Sequence, residues 1–292
     1  MPVELFPVVE SLIAPFVGVS DDVMGQPWVF AEYDEEGLRF ALLQTGLELR
    51  ELAALAYEAR AATHPMTTAQ RIMAQYHVSY RDLRGTLSGV PAVDFKREPA
   101  PGEWSIRRTL QHMITTPIYF LAVTRYALER HRTGDNRPAE PPDEILDPMI
   151  ESLMTQFGIG DYADDSGTLP EVLRRFDALH VMVINELASL PNGELDWPSV
   201  WWEGNEKPIR FRLLRLESHL RQHTVQIEKT RQMLGHQPTE AHWLIRQVYN
   251  ALGEAEGAAL GIHVSGELQQ LRSQLIEMIR IRAAQISGLL NT

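Results

Sequence analysis

Between Pro208 and Gly235 the chain reads as one unbroken helix that carries two histidines, His219 and His223, four residues apart. At that spacing both imidazoles leave the same side of the helix, one turn apart, and can reach a single metal ion. Leu216, Leu220 and Ile227 place the core-facing side beside these histidines rather than opposite them. A histidine in a bundle core needs a hydrogen-bond partner or a metal. This helix must therefore be packed against others on its histidine side.

The rest of the chain supplies those helices. A short helix is expected around Val8 to Ile13. From about Glu35 to Ala62, Leu42, Leu49, Leu52 and Ala56 form one stripe with Leu43, Leu47 and Leu55 beside it, so this helix should be covered on more than one side. His64-Pro65 breaks the pattern. Thr67 or Thr68 can cap a second helix to about Leu87, with Ile72, Tyr76, Tyr80, Leu83 and Leu87 inward. Ser105 can cap a third, Ile106 to about Arg132, whose core stripe is Ile106, Leu110, Met113, Ile114 and Leu121. His112 shares a face with Thr109, Thr115, Thr116 and Tyr119, and Pro117 should kink the helix just beyond it.

Residues 133–148 read as a long loop before a short helix from Pro148 to Phe157. Thr168 and Glu171 form a capping box for a helix with Phe176, Leu179, Val183 and Leu187 on one face. Trp197, Trp201 and Trp202 fall in a connection that should form a short hairpin or a folded loop over the bundle end. Two more helical segments follow Thr239, with Gly253, Gly257 and Gly261 at their join and the last running from Val264 to Leu290. The partner expected for that last helix is the 35–62 helix or a second copy of the chain. The expected architecture is all-α: an N-terminal helical extension (1–65), a four-helix bundle (66–235) and a C-terminal helical extension (236–292) packing on the bundle or on 35–62.

Composition removes several function classes. The chain has no cysteine, which excludes disulfides, thiolate metal ligands and a cysteine nucleophile; any thiol chemistry needs a thiol on a small molecule. The net charge of −12 without a basic block argues against nucleic acid and anionic membranes. The apolar run from Leu5 to Val19 is interrupted by Pro7, Glu10 and Pro15 and lacks a positive start, so no signal peptide is expected and a cytoplasmic location is. There is no phosphate-binding loop, dinucleotide fingerprint or nucleophile elbow. A di-iron carboxylate bundle needs Glu-x-x-His on two helices, and the nearest approach, Asp177 to His180, occurs once. His180 is expected at the core edge or the surface.

The segment Glu103-Trp104-Ser105-Ile106-Arg107-Arg108-Thr109-Leu110-Gln111-His112 resembles the start of the DinB/YfiT-like family, in which a histidine stands seven residues after the serine. His219, His223, Gln226 and Ile227 match that family's second signature, two histidines four apart followed by Gln-Ile. The resemblance covers roughly residues 66–235. It implies a DinB-like four-helix bundle in which His112, His219 and His223 hold one divalent metal, zinc or nickel. Many members carry a further histidine where this chain has Gln222, so an acid-base role there is not carried over. The family includes transferases and isomerases that use bacillithiol, mycothiol or related low-molecular-weight thiols, together with proposed hydrolases. Three neutral imidazoles leave a coordination position open, as in catalytic rather than structural sites.

The function expected is thus a metal-dependent enzyme acting on a small molecule, a thiol transferase or a hydrolase. Tyr119, two turns from His112, is the candidate for an acid or hydrogen-bond donor. The alternative is a non-enzymatic metal- or ligand-binding protein with an interaction role, and the terminal helices leave room for a homodimer.

Overall fold

The structure, a computed structural model, describes residues 5–262, 264 and 266–290; the side chains of residues 62 and 63 are not described. These residues form ten α-helices in the order α1 (Leu5–Ile13), α2 (Arg39–Thr63), α3 (Thr68–Leu87), α4 (Ala92–Phe95), α5 (Ile106–Thr133), α6 (Asp143–Phe157), α7 (Leu169–Leu187), α8 (Ile209–Met233), α9 (Glu240–Ala258) and α10 (Gly266–Leu290). The only sheet among them is a two-stranded antiparallel hairpin, β1 (Pro198–Ser199) with β2 (Lys207–Pro208), pairing Pro198 with Pro208 and Ser199 with Lys207. The fold is all-α, as the periodicity predicts. No described helix is long and apolar enough to cross a membrane.

The chain divides into two units. One comprises Met1–Met66, His77–Gly89 and His236–Thr292; the other comprises Thr67–Tyr76 and Val90–Gly235. Helix α3 contributes residues to both.

In the unit built from the chain's ends, α2 packs along α9, and α10 packs on α1 and α2. Leu12, Phe16, Leu38, Leu42, Leu49, Leu252, Ile279 and Ile286 are among its fully buried apolar residues. Helix α2 is covered on two sides, but Leu47 is exposed. The second covered side instead holds Thr45 and Glu48, and Glu48 takes two hydrogen bonds of 2.9 Å from the buried Arg282 of α10.

Gly253 and Gly257 lie inside α9, not at a join. A Cβ on Gly253 would stand 2.9 Å from the Cα of Val78, and one on Gly85 would stand 3.0 Å from the Cα of Arg246. The glycines thus let α9 and the second half of α3 touch backbone to backbone. A polar network lines this contact. Buried Glu256 accepts from Arg81 at 2.7 and 3.0 Å and lies 2.8 Å from His77 Nε2. Asp82 pairs with Arg246 at 3.0 Å.

In the other unit, α5 packs on α8, α7 and α6. Leu110, Ile118, Leu121, Phe176, Leu179, Val183, Leu213, Leu220 and Ile227 form its core. Helix α5 runs through Pro117 and ends on Gly134, whose φ of 64° suits glycine. Helix α6 starts at Asp143 and has Pro148 inside it, so the loop expected to reach Pro148 is shorter. Pro142 and two acidic residues in the first turn start the helix early. His180 is fully buried, against the expectation of a core-edge or surface position, and its ring lies tilted 4.8 Å from that of Tyr76.

Candidate metal centre

Two helices bring the three histidines together. On α5, the Ser105 hydroxyl accepts from the Arg108 backbone N–H at 3.1 Å and sets the start of the helix, so His112 falls two turns in. On α8, Leu213, Leu216, Leu220 and Ile227 are buried, and the same rotation buries His219 and His223. One ligand atom from each of His112, His219 and His223 lies within 4.8 Å of the other two. The ring centroids are 4.8, 4.6 and 4.3 Å apart.

The protonation pattern suits a cation. His223 Nδ1 lies 2.7 Å from Gln226 Oε1. An amide oxygen only accepts, so Nδ1 carries the proton and Nε2 keeps its lone pair. His112 Nε2 and His219 Nε2 are 2.9 Å apart, a separation that two lone pairs tolerate only with a proton or cation between them. Burial and the neighbouring His223 hold His112 down at about 4. Burial, then His223, His112 and Arg215, hold His219 at about 3. Burial lowers His223 as well, against the opposing hydrogen bond to Gln226. All three rings are neutral at neutral pH, the form that binds metal. No carboxylate belongs to the cluster among the described residues. The residues present therefore fit a divalent metal held by nitrogen alone.

Aromatic rings surround the cluster. Trp104 meets His112 edge-on at 5.4 Å, and Tyr162 lies 5.9 Å from His112. Tyr119 stacks on Tyr162 at 5.6 Å and on Trp201 at 6.1 Å. Burial raises the Tyr119 hydroxyl above its ordinary value, with Asp147 and Asp161 adding to it.

Two buried arginines hold the loops that carry these rings. Arg107 donates to the Ser166 carbonyl and to Gln111 Oε1, both at 2.9 Å, and Gln111 donates to the Gly160 and Asp161 carbonyls at 2.7 Å. These bonds fix the loop bearing Tyr162. Arg212 donates to Ser199 Oγ at 3.0 Å and pairs with Glu203, fixing the hairpin turn that bears Trp201.

The structure thus brings His112, His219 and His223 into one cluster, and leaves Tyr119 outside it in the neighbouring ring stack. Gln222 is exposed. Residues that sequence reasoning did not assign to the site are Tyr162, Thr116, whose Oγ1 is 3.4 Å from His219 Nε2, and Gln226 as the partner of His223. Gln226 was findable, since it stands three residues after His223 and so on the same helix side. Tyr162 sits in an irregular loop with no periodic signal.

A search of curated proteins and of solved structures finds no match. The model of the DinB superfamily matches residues 75–227, which include all three histidines and Gln226. With more than half of its length matched, the chain belongs to the DinB superfamily.

Proposed function

We propose that the protein is a metal-dependent enzyme in which His112, His219 and His223 hold one divalent ion and a small-molecule nucleophile is activated beside it. The observation that carries this reading is the convergence of three neutral imidazoles within 4.8 Å, with no anionic side chain among them. Nitrogen donors without thiolate suit zinc, nickel or iron over magnesium or calcium. When bound, the metal supplies Lewis acidity and favours the anionic form of a thiol or water placed next to it.

The chain's own residues then do the rest. Gln226 fixes the tautomer of His223. Trp104 packs against the His112 ring. No carboxylate in the cluster neutralises a divalent ion, and Arg215 adds positive charge near His219 and His223. The site therefore favours an anionic partner, and a low-molecular-weight thiol ionised to thiolate meets that demand in a chain without cysteine. Transfer of such a thiol is the reaction we favour, with metal-assisted hydrolysis second.

Metal analysis of the purified protein tests the assignment. About one equivalent per chain is expected in the wild type, and none above background in His219→Ala. Full metal retention by that variant sinks the ligand set. Turnover by the metal-loaded wild type with a panel of low-molecular-weight thiols and electrophiles then tests the reaction class, and a panel without turnover removes the transferase reading.

A further inference from the structure

Tyr119 is the hydroxyl that sequence position recommends, but the structure puts a different one next to the histidines. The Tyr162 ring lies 5.9 Å from that of His112 and is 45% exposed, so it stands where the cluster meets solvent. Its hydroxyl sits beside those of Thr115 and Thr116, and burial raises its pKa. Each threonine has its single hydroxyl hydrogen directed at a backbone carbonyl, Thr115 to Gln111 at 2.9 Å and Thr116 to His112 at 2.7 Å. They can therefore only accept. In this trio the movable proton belongs to Tyr162. Thr116 in turn reaches to 3.4 Å from His219 Nε2, so the phenol is one hydroxyl away from the metal-facing nitrogen.

We propose that Tyr162, seated on Thr115 and Thr116, is the substrate-contacting residue of this centre, donating its hydroxyl proton in a hydrogen bond to the anionic group that enters beside the metal. The inference rests on the metal-centre reading above. The loop's anchorage supports it. Arg107 is buried at the base of the loop and Gln111 spans two successive carbonyls, so the phenol is held in place before any ligand arrives. Tyr119 lacks such a position, since its ring is stacked against Tyr162 and Trp201.

Cobalt(II)-loaded full-length protein titrated with azide, followed by visible absorption, tests the proposal without any need for the substrate. Wild type is expected to bind cobalt and shift its spectrum with azide. Tyr162→Phe keeps the ring and should bind cobalt as tightly as wild type, while its azide affinity falls about tenfold, the size of one hydrogen bond to a charged group. Tyr162→Ala should lose at least as much. If Tyr162→Phe titrates like wild type, or if its defect lies in cobalt retention, the hydroxyl does not contact the ligand and the proposal is overturned. A cobalt-loaded wild type whose spectrum azide leaves unmoved overturns it as well. A wild type that takes up no cobalt brings down the metal-centre reading first, and this inference with it.

Discussion

The protein buries histidine in two kinds of polar cluster, and they are built on opposite plans. His77 meets Glu256 at 2.8 Å, and the same carboxylate takes two hydrogen bonds from Arg81. Burial pushes the Glu256 carboxyl up, yet Arg81 and His77 outweigh it and hold the group at about 2. Burial lowers His77, and the Glu256 carboxylate is matched by the Arg81 guanidinium. His112, His219 and His223 have no anion, two of their nitrogens face each other at 2.9 Å, and the protonated forms are all disfavoured. One cluster is electrically complete; the other is a set of donors arranged for something positive. A buried polar group is informative according to which partner it lacks, not according to its burial.

Breaking the closed cluster should have the largest effect on the fold and none on the metal. Glu256→Gln leaves the Arg81 guanidinium buried without its counter-ion, for which roughly 3–5 kcal/mol of destabilisation is expected. Denaturant unfolding measures it, and metal content should stay at the wild-type level. A loss under about 1 kcal/mol, or a loss of metal, would mean that the two clusters are not the separate devices described.

Disturbing the donor cluster from outside should do the reverse. Gln226→Ala removes the acceptor that orients His223 and should weaken metal binding about 10- to 100-fold, the usual cost of losing such a partner. Thermal unfolding of the metal-free variant should match the metal-free wild type within a few degrees. Unchanged metal affinity would show that Gln226 merely packs there.

The smallest effect is a slope. His112 and His219 have folded-state pKa values of about 4 and 3, below their ordinary 6.5. Between these limits the unfolded chain binds more protons, so the stability of the metal-free protein falls as pH drops from about 6.5 towards 3. Glu256 adds a loss in a lower window, from 4.5 down to about 2. His77 is also lowered, so the contribution of the donor cluster is read as a difference. The pH dependence of metal-free His219→Ala between pH 6.5 and 5 should be shallower than that of wild type; equal slopes would refute the assignment.

Much of this was readable from residues. The caps at Ser105 and Thr168 placed α5 and α7 because side-chain capping is local. The His219/His223 pair was readable because helical spacing and burial are both periodic. Pro148 misled because a proline that marks a helix start can also sit inside one begun earlier by Pro142 and two acidic residues. The spacing of the α9 glycines suggests a join because spacing alone does not say what approaches them; the backbone that meets Gly253 is that of Val78, on α3. Tyr162 was invisible for a related reason, since its place depends on Arg107 and Gln111 gripping a loop about 50 residues further along the chain.

The glycine-lined contact between α3 and α9 bears on how the protein can be dissected. The stretch matched by the family, residues 75–227, ends before Gly253 and Glu256. A fragment trimmed to that stretch would keep every histidine of the donor cluster, yet expose His77 and Arg81 on a helix shaped to receive a neighbour's main chain. Expression boundaries for this protein therefore belong outside the family's borders, and a truncated fragment that precipitates would say nothing about what the three histidines bind.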